Sequence, residues 1–160
     1  MEKTYLKYLS QLKDLVTVDT NDEHILRIER TDKIPFVFLN RREGILIFFG
    51  RLLGASPNDF YRSILDFIDS PYGDISKITI YFRVEYINTS SSKAFYDFLK
   101  SLNALFFSGK EMNILWFQDG DDPDPYIDGE DLHYFVKIPF DIIELTQDQI
   151  KELEAFISQL

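Results

Sequence analysis

Apolar residues recur along this chain with two periods, and the changes of period divide it into helices and strands. Over residues 2–16, Tyr5, Tyr8, Leu9, Leu12, Leu15 and Val16 fall at helical spacing between Lys3, Lys7, Lys13 and Asp14, which predicts an amphipathic first helix. A polar connector, 18–23, follows. Residues 24–29 and 34–39 then read as short strands, and Pro35 places the second at a strand start or near a sheet edge. The polar loop Asn40-Arg41-Arg42-Glu43-Gly44 suits a hairpin, so the apolar run Ile45-Leu46-Ile47-Phe48-Phe49 should pair antiparallel with the strand before it.

Ser56-Pro57-Asn58-Asp59 has the form of an N-cap followed by proline in the first turn, opening a helix through Phe60, Ile64, Leu65, Phe67 and Ile68 that Pro71-Tyr72-Gly73-Asp74 closes. Ile78, Ile80, Phe82, Val84 and Tyr86 alternate with Thr79, Tyr81, Arg83 and Glu85, the pattern of a strand with one buried and one wetter face. From Ser90 onward Ala94, Phe95, Phe98, Leu99, Leu102, Leu105 and Phe106 return at spacings of three and four, and Gly109 supplies the stop. A strand over 112–117, an acidic loop over 119–130 and an extended segment over 138–145 come next. The last helix starts at a Thr146 cap and carries Ile150, Leu153, Phe156 and Ile157. No repeat, low-complexity tract or interdomain linker interrupts the chain.

Composition narrows this to one domain. A chain of 160 residues with 45% hydrophobic and 16% aromatic content can bury a ring-rich core. A formal net charge of -10 repels phosphate backbones and anionic bilayers, so neither nucleic acid nor membrane is expected as a partner. The absence of cysteine removes disulfides, thiolate metal sites and cysteine nucleophiles, and it fits a reducing compartment. With no apolar leader and no stretch approaching the roughly 20 residues of a membrane span, the expected location is the cytoplasm.

The chemistry concentrates at one junction. Asn88-Thr89-Ser90-Ser91-Ser92-Lys93 joins the predicted strand to the strongest predicted helix, placing four consecutive hydroxyls at a helix amino end. Unpaired N–H groups and partial positive charge there would hold a phosphate, with Lys93 one turn on. By local chemistry alone the commoner use is a hydroxyl N-cap, the others solvating the turn. Elsewhere, Asp119, Asp121 and Glu130 echo calcium-loop spacing, but Pro123 and Asp124 stand where that loop needs an oxygen ligand and a glycine, so no metal is assigned. The two histidines, His24 and His133, are far apart, and no triad, zinc motif or phosphate-binding glycine loop is present, so no catalytic residue or cofactor is assigned. Trp116 and Tyr126 read as packing residues.

The run Tyr86-Ile87-Asn88-Thr89-Ser90-Ser91-Ser92-Lys93-Ala94 resembles the Asn-Thr-Ser-Ser-x-Lys motif of SiaC-type regulatory phosphoproteins, relatives in fold of STAS-domain anti-sigma-factor antagonists. Gly44-Ile45-Leu46-Ile47 with Gly50-Arg51, Asp59-Phe60-Tyr61 with Ile64-Leu65, and Gly129-Glu130-Asp131 with Lys137-Ile138-Pro139-Phe140 match in the same order, over roughly residues 28–145. Arg51-Leu52-Leu53-Gly54-Ala55-Ser56-Pro57 is more apolar than that family's pattern. The resemblance implies an α/β, STAS-like domain over 24–145, a mixed sheet with helices mainly on one face, with a helical extension at 1–23 and a C-terminal helix at 146–160 packing on it. It also implies phosphorylation at Thr89 by a cognate serine/threonine kinase, removal by a PP2C-like, metal-dependent phosphatase, and activation of a diguanylate cyclase by the unphosphorylated form. Asn88, Ser90, Ser91, Ser92 and Lys93 would form the phosphosite's surroundings, and the protein would be no enzyme. The rival readings are a constitutive binding scaffold and a metal-dependent enzyme using loop 119–131.

Overall fold

The computed structural model describes residues 10, 12, 22–54, 57–69 and 77–159. Their strands form one six-stranded sheet whose spatial order follows the chain. β1 (Ile25–Ile28), β2 (Phe36–Asn40) and β3 (Ile45–Leu52) pair antiparallel, and β3, β4 (Lys77–Ile87), β5 (Glu111–Asp119) and β6 (Phe140–Leu145) pair parallel. Helices α1 (Pro57–Ile68), α2 (Thr89–Phe107) and α3 (Gly129–Phe135) make the three parallel crossovers, and α4 (Gln147–Ser158) follows the last strand. This is the mixed α/β architecture expected.

Local chemistry accounts for the boundaries. Pro35 stands one residue before β2, where a missing N–H costs no ladder bond. The β2–β3 hairpin turns on Asn40, whose Oδ1 accepts from the Arg42 and Glu43 amides at 3.0 and 3.2 Å, and on Gly44 at φ 65, where a Cβ would strike the Lys77 carbonyl. Thr146 caps α4 in a full capping box with Gln149, as its sequence signature predicts.

Two cores lie on opposite faces. On the first, Tyr61 and Ile64 of α1, Phe95, Phe98 and Leu99 of α2, and Leu132 of α3 pack against Leu46, Phe48, Ile80, Phe82, Ile114 and Trp116. On the second, Leu153, Phe156 and Ile157 of α4 lie with Leu12 over Phe36, Phe38, Phe49, Tyr81, Leu115 and Phe117. The wetter face expected for β4 is therefore covered, and Tyr81 is buried. Burial of three large apolar side chains, at roughly 1.5–3 kcal/mol each, is what holds a 12-residue helix that would be marginal alone. Of the first predicted helix, Ser10 and Leu12 are described, both helical. Its remaining residues, Ser56 and the stop at 71–74 lie outside the described residues.

Two irregularities shape the carboxyl edge of the parallel strands. β4 carries a bulge: Gly50 pairs with Val84 but Arg51 pairs with Tyr86, leaving Glu85 as an extra residue. Val84 and Ile87 consequently both pack on the first core, which strict alternation would forbid for residues three apart. β4 and β5 also part company, their pairing ending at Phe82 and Trp116 while each strand continues, β4 along β3 and β5 along β6.

Candidate functional site

β4 delivers the chain to the carboxyl edge of the sheet, and α2 begins there without a loop. Asn88 is the sole residue between them. Its extended backbone (φ -86, ψ 166) makes it the N-cap, and its N–H donates to the Leu52 carbonyl at the end of β3. The Asn88 Oδ1 accepts from the Ser91 amide at 3.0 Å and the Ser90 hydroxyl at 3.1 Å, while its carbonyl accepts from the Ser92 amide and hydroxyl, both at 3.2 Å. The cap is thus a side-chain amide and not one of the hydroxyls, contrary to the simplest reading of the sequence.

This assignment sorts the four hydroxyls. Ser91 is 2% exposed, its Oγ 3.5 Å from the Gly54 carbonyl. Ser92 is half-buried and bonded back to Asn88, and Ser90 is exposed but bonded to the same cap. Thr89, the first helical residue, is exposed, and its hydroxyl takes no part in the capping bonds. Lys93 lies one turn on, as expected, but its ammonium donates at 2.9 Å to Asp97, whose carboxyl that bond holds below its usual range.

Aromatic rings border the junction. Arg51 stands over the Tyr86 ring at 5.6 Å, and Tyr126 meets Tyr86 edge-on at 4.4 Å. Tyr126 is 68% exposed, so it is not the packing residue expected, whereas Trp116 is fully enclosed. The acidic loop ends sooner than expected because Asp128 caps α3, its Oδ1 accepting from the Glu130 amide at 3.0 Å. Asp128 followed by Gly-Glu-Asp is a start signal with acid in the first turn, and sequence reasoning passed over it. Gly129 is required there, since a Cβ would lie 2.7 Å from Gln118 Oε1 and 2.9 Å from Trp116 Cδ1. Among the described residues no three His, Asp or Glu side chains converge to hold a metal, and no helix is long and apolar enough to cross a membrane.

Residues 28–145, well over half the chain, match the model of a family described as SiaC family regulatory phosphoprotein. The chain belongs to the SiaC family. That match encloses the Thr89 junction and every strand from the end of β1 to β6, and it stops before α4. Solved structures of SiaC from Pseudomonas aeruginosa share the fold: one is 22% identical with a TM-score of 0.65, covering 76% of this chain and 98% of its own. The apo form aligns at 22% identity with a TM-score of 0.62, over 74% and 97% of the two chains. A crystal structure of diguanylate cyclase SiaD from the same organism in complex with its activator SiaC aligns at 23% identity with a TM-score of 0.63, over 73% of this chain and 97% of that one. No curated protein sequence matches.

Proposed function

We propose that this SiaC-family chain is a binding switch and not an enzyme: unphosphorylated it engages an effector, and phosphorylation of Thr89 by a cognate serine/threonine kinase ends that engagement until a PP2C-like phosphatase restores it. One observation carries the choice of Thr89. Of the four adjacent hydroxyls it alone is both exposed and outside the capping network, which Asn88 completes without it. A kinase can therefore take this side chain without dismantling the start of α2.

The effect of the modification follows from its place. A phosphate brings about -1.5 to -2 charges to a surface that already belongs to a chain of net charge -10. A partner docked across Thr89 would meet that charge and its hydration shell, while the first turn of α2 tolerates both. The effector we favour is a diguanylate cyclase, because the SiaC protein of similar fold is an activator of one. In this reading residues 24–145 form the switch domain, and 1–23 and 146–160 are extensions of it, with Leu12 and α4 on its second face.

The test is reconstitution with a serine/threonine kinase, a PP2C-like phosphatase and a diguanylate cyclase from the same organism. Intact mass should show one phosphate that Thr89→Ala abolishes and the phosphatase removes. Thr89→Ala should capture and activate the cyclase constitutively, and Thr89→Glu should do neither. Equal capture by the two variants would sink the proposal.

A further inference from the structure

Within the sheet, the last stretch of β4 is paired on one side. β5 stops pairing with it at Phe82, and β3 skips Glu85 before pairing Arg51 with Tyr86 and Leu52 with Ile87, so Glu85 lies outside the register of both neighbouring strands. Just beyond, the Asn88 N–H meets the Leu52 carbonyl and α2 begins. The backbone that delivers Thr89 therefore runs through a residue that neither ladder fixes.

A side chain fixes it instead. Arg30, beyond the end of β1, reaches across β3 to the Glu85 carboxylate, where one terminal nitrogen donates at 2.8 and 2.7 Å to the two oxygens. Its other terminal nitrogen donates at 2.9 Å to Glu154 of α4. The crossing is made at Gly50, the β3 residue paired with Val84: a Cβ there would lie 2.9 Å from Pro35 Cα and 3.6 Å from Arg30 Nε, so the missing side chain leaves the guanidinium its path. The three charged side chains are at most 35% exposed, and bonds between ionised groups in such a setting are strong and weakly screened.

The far end of this connection is the helix that the family match leaves out, since that match ends at residue 145 and α4 starts at Gln147. Leu153, Phe156 and Ile157 seat α4 on the second core, and Glu154, beside Leu153, ties it to the bulge. We propose that α4 is a strap fastened through Arg30 to the β4 bulge: while it is seated the Thr89 junction keeps its capped form, and lifting it loosens the junction. A guanidinium is one rigid plane, so the orientation that serves Glu154 is also the one that serves Glu85, and loss of either acceptor frees the group to turn away from the other. Linkage makes the coupling reciprocal, and whatever grips or loosens the junction is felt at α4.

Amide hydrogen exchange of the full chain, read by NMR at neutral pH, tests the strap with no phosphate or partner present. The Asn88 and Ser91 amides, bonded to the Leu52 carbonyl and the Asn88 Oδ1, report the junction, and the Ile47 amide in the middle of β3 reports global opening. Glu154→Gln should speed exchange at Asn88 and Ser91 by about fivefold or more relative to Ile47. Arg30→Gln should do at least as much, and the double variant no more than Arg30→Gln alone, because both act through one guanidinium. Glu152→Gln, the same change of charge at an exposed position of α4, should leave all three amides at their parent rates. Junction amides that keep their parent rate in Glu154→Gln, that accelerate only in step with Ile47, or that respond equally to Glu152→Gln overturn the proposal, and so does a double variant in which the two effects multiply. The Thr89 reading stands or falls separately, on the mass measurement.

Discussion

Glu85 of β4 and Glu154 of α4 are joined through one guanidinium, Arg30, which is bonded to both: 2.7 and 2.8 Å to the two Glu85 oxygens and 2.9 Å to Glu154 Oε2. Burial and the proximity of Glu154 raise the Glu85 carboxyl above its usual range. Burial also pushes Glu154 upward, but the bonds from Glu85 and Arg30 outweigh it and hold Glu154 below.

The two shifts act in different pH windows. The raised Glu85 contributes stability that is complete below its unfolded value of 4.5 and is lost as pH climbs through its higher folded value. The depressed Glu154 contributes stability present above 4.5 and lost as pH falls through its lower folded value. Melting temperatures across both windows should show Glu85→Gln flattening the profile above 4.5 and Glu154→Gln flattening it below. An unchanged upper arm in Glu85→Gln would contradict the raised Glu85 carboxyl.

Tyr61 packs in the first core against Phe48, Phe60 and Phe98, with its hydroxyl buried and unbonded among the described residues, and burial raises its phenol above the usual range. Removing an unsatisfied polar atom relieves a desolvation penalty of about 1–3 kcal/mol. Tyr61→Phe is expected to melt higher, by roughly 2–4 °C for each kcal/mol relieved. A lower melting temperature would mean that the hydroxyl has a partner.

The cap and the proposed phosphosite are separable by substitution. Asn88→Ala removes the acceptor of the Ser91 amide and should cost about 0.5–2 kcal/mol in chemical denaturation. Thr89→Ala, at an exposed neighbour, should stay within about 0.5 kcal/mol of the parent. The reverse order would make Thr89 the structural residue of the junction.

Gly129→Ala tests the seat of α3. A Cβ at 2.7 Å from Gln118 Oε1 and 2.9 Å from Trp116 Cδ1 forces both side chains to move, and a cost of about 1–3 kcal/mol is expected, with a change in Trp116 fluorescence. An unaltered emission spectrum would show that α3 sits further from the sheet.

Much of this was legible from residue order. Period-two and helical spacing revealed β4, α2 with its Gly109 stop and α4 with its Thr146 start, and the Asn40–Gly44 turn revealed the hairpin, because in each case local propensity and burial agree. Tyr81, Arg83 and Glu85 defeated the pattern: their alternation announces a solvent face, yet α4 and Leu12, remote in sequence, cover it. The junction showed the same limit. Four hydroxyls look equivalent by local chemistry, where only the family resemblance pointed to Thr89, and their differences in bonding emerged from the contacts to Asn88. Nothing in residue order announced that β4 and β5 would stop pairing beyond Phe82 and Trp116.

The extra residue in β4 makes the position of Thr89 a matter of counting. Because Glu85 shifts the parity between Val84 and Ile87, the chain leaves the sheet with Ile87 inward and Asn88 under the Leu52 carbonyl. Deleting any one residue between Phe82 and Ile87 would reverse that parity and carry Thr89 to the other side of the strand. Substitutions along this stretch can be absorbed one at a time, whereas insertions and deletions cannot. In diverging members of the family, length here should therefore be held more strictly than sequence.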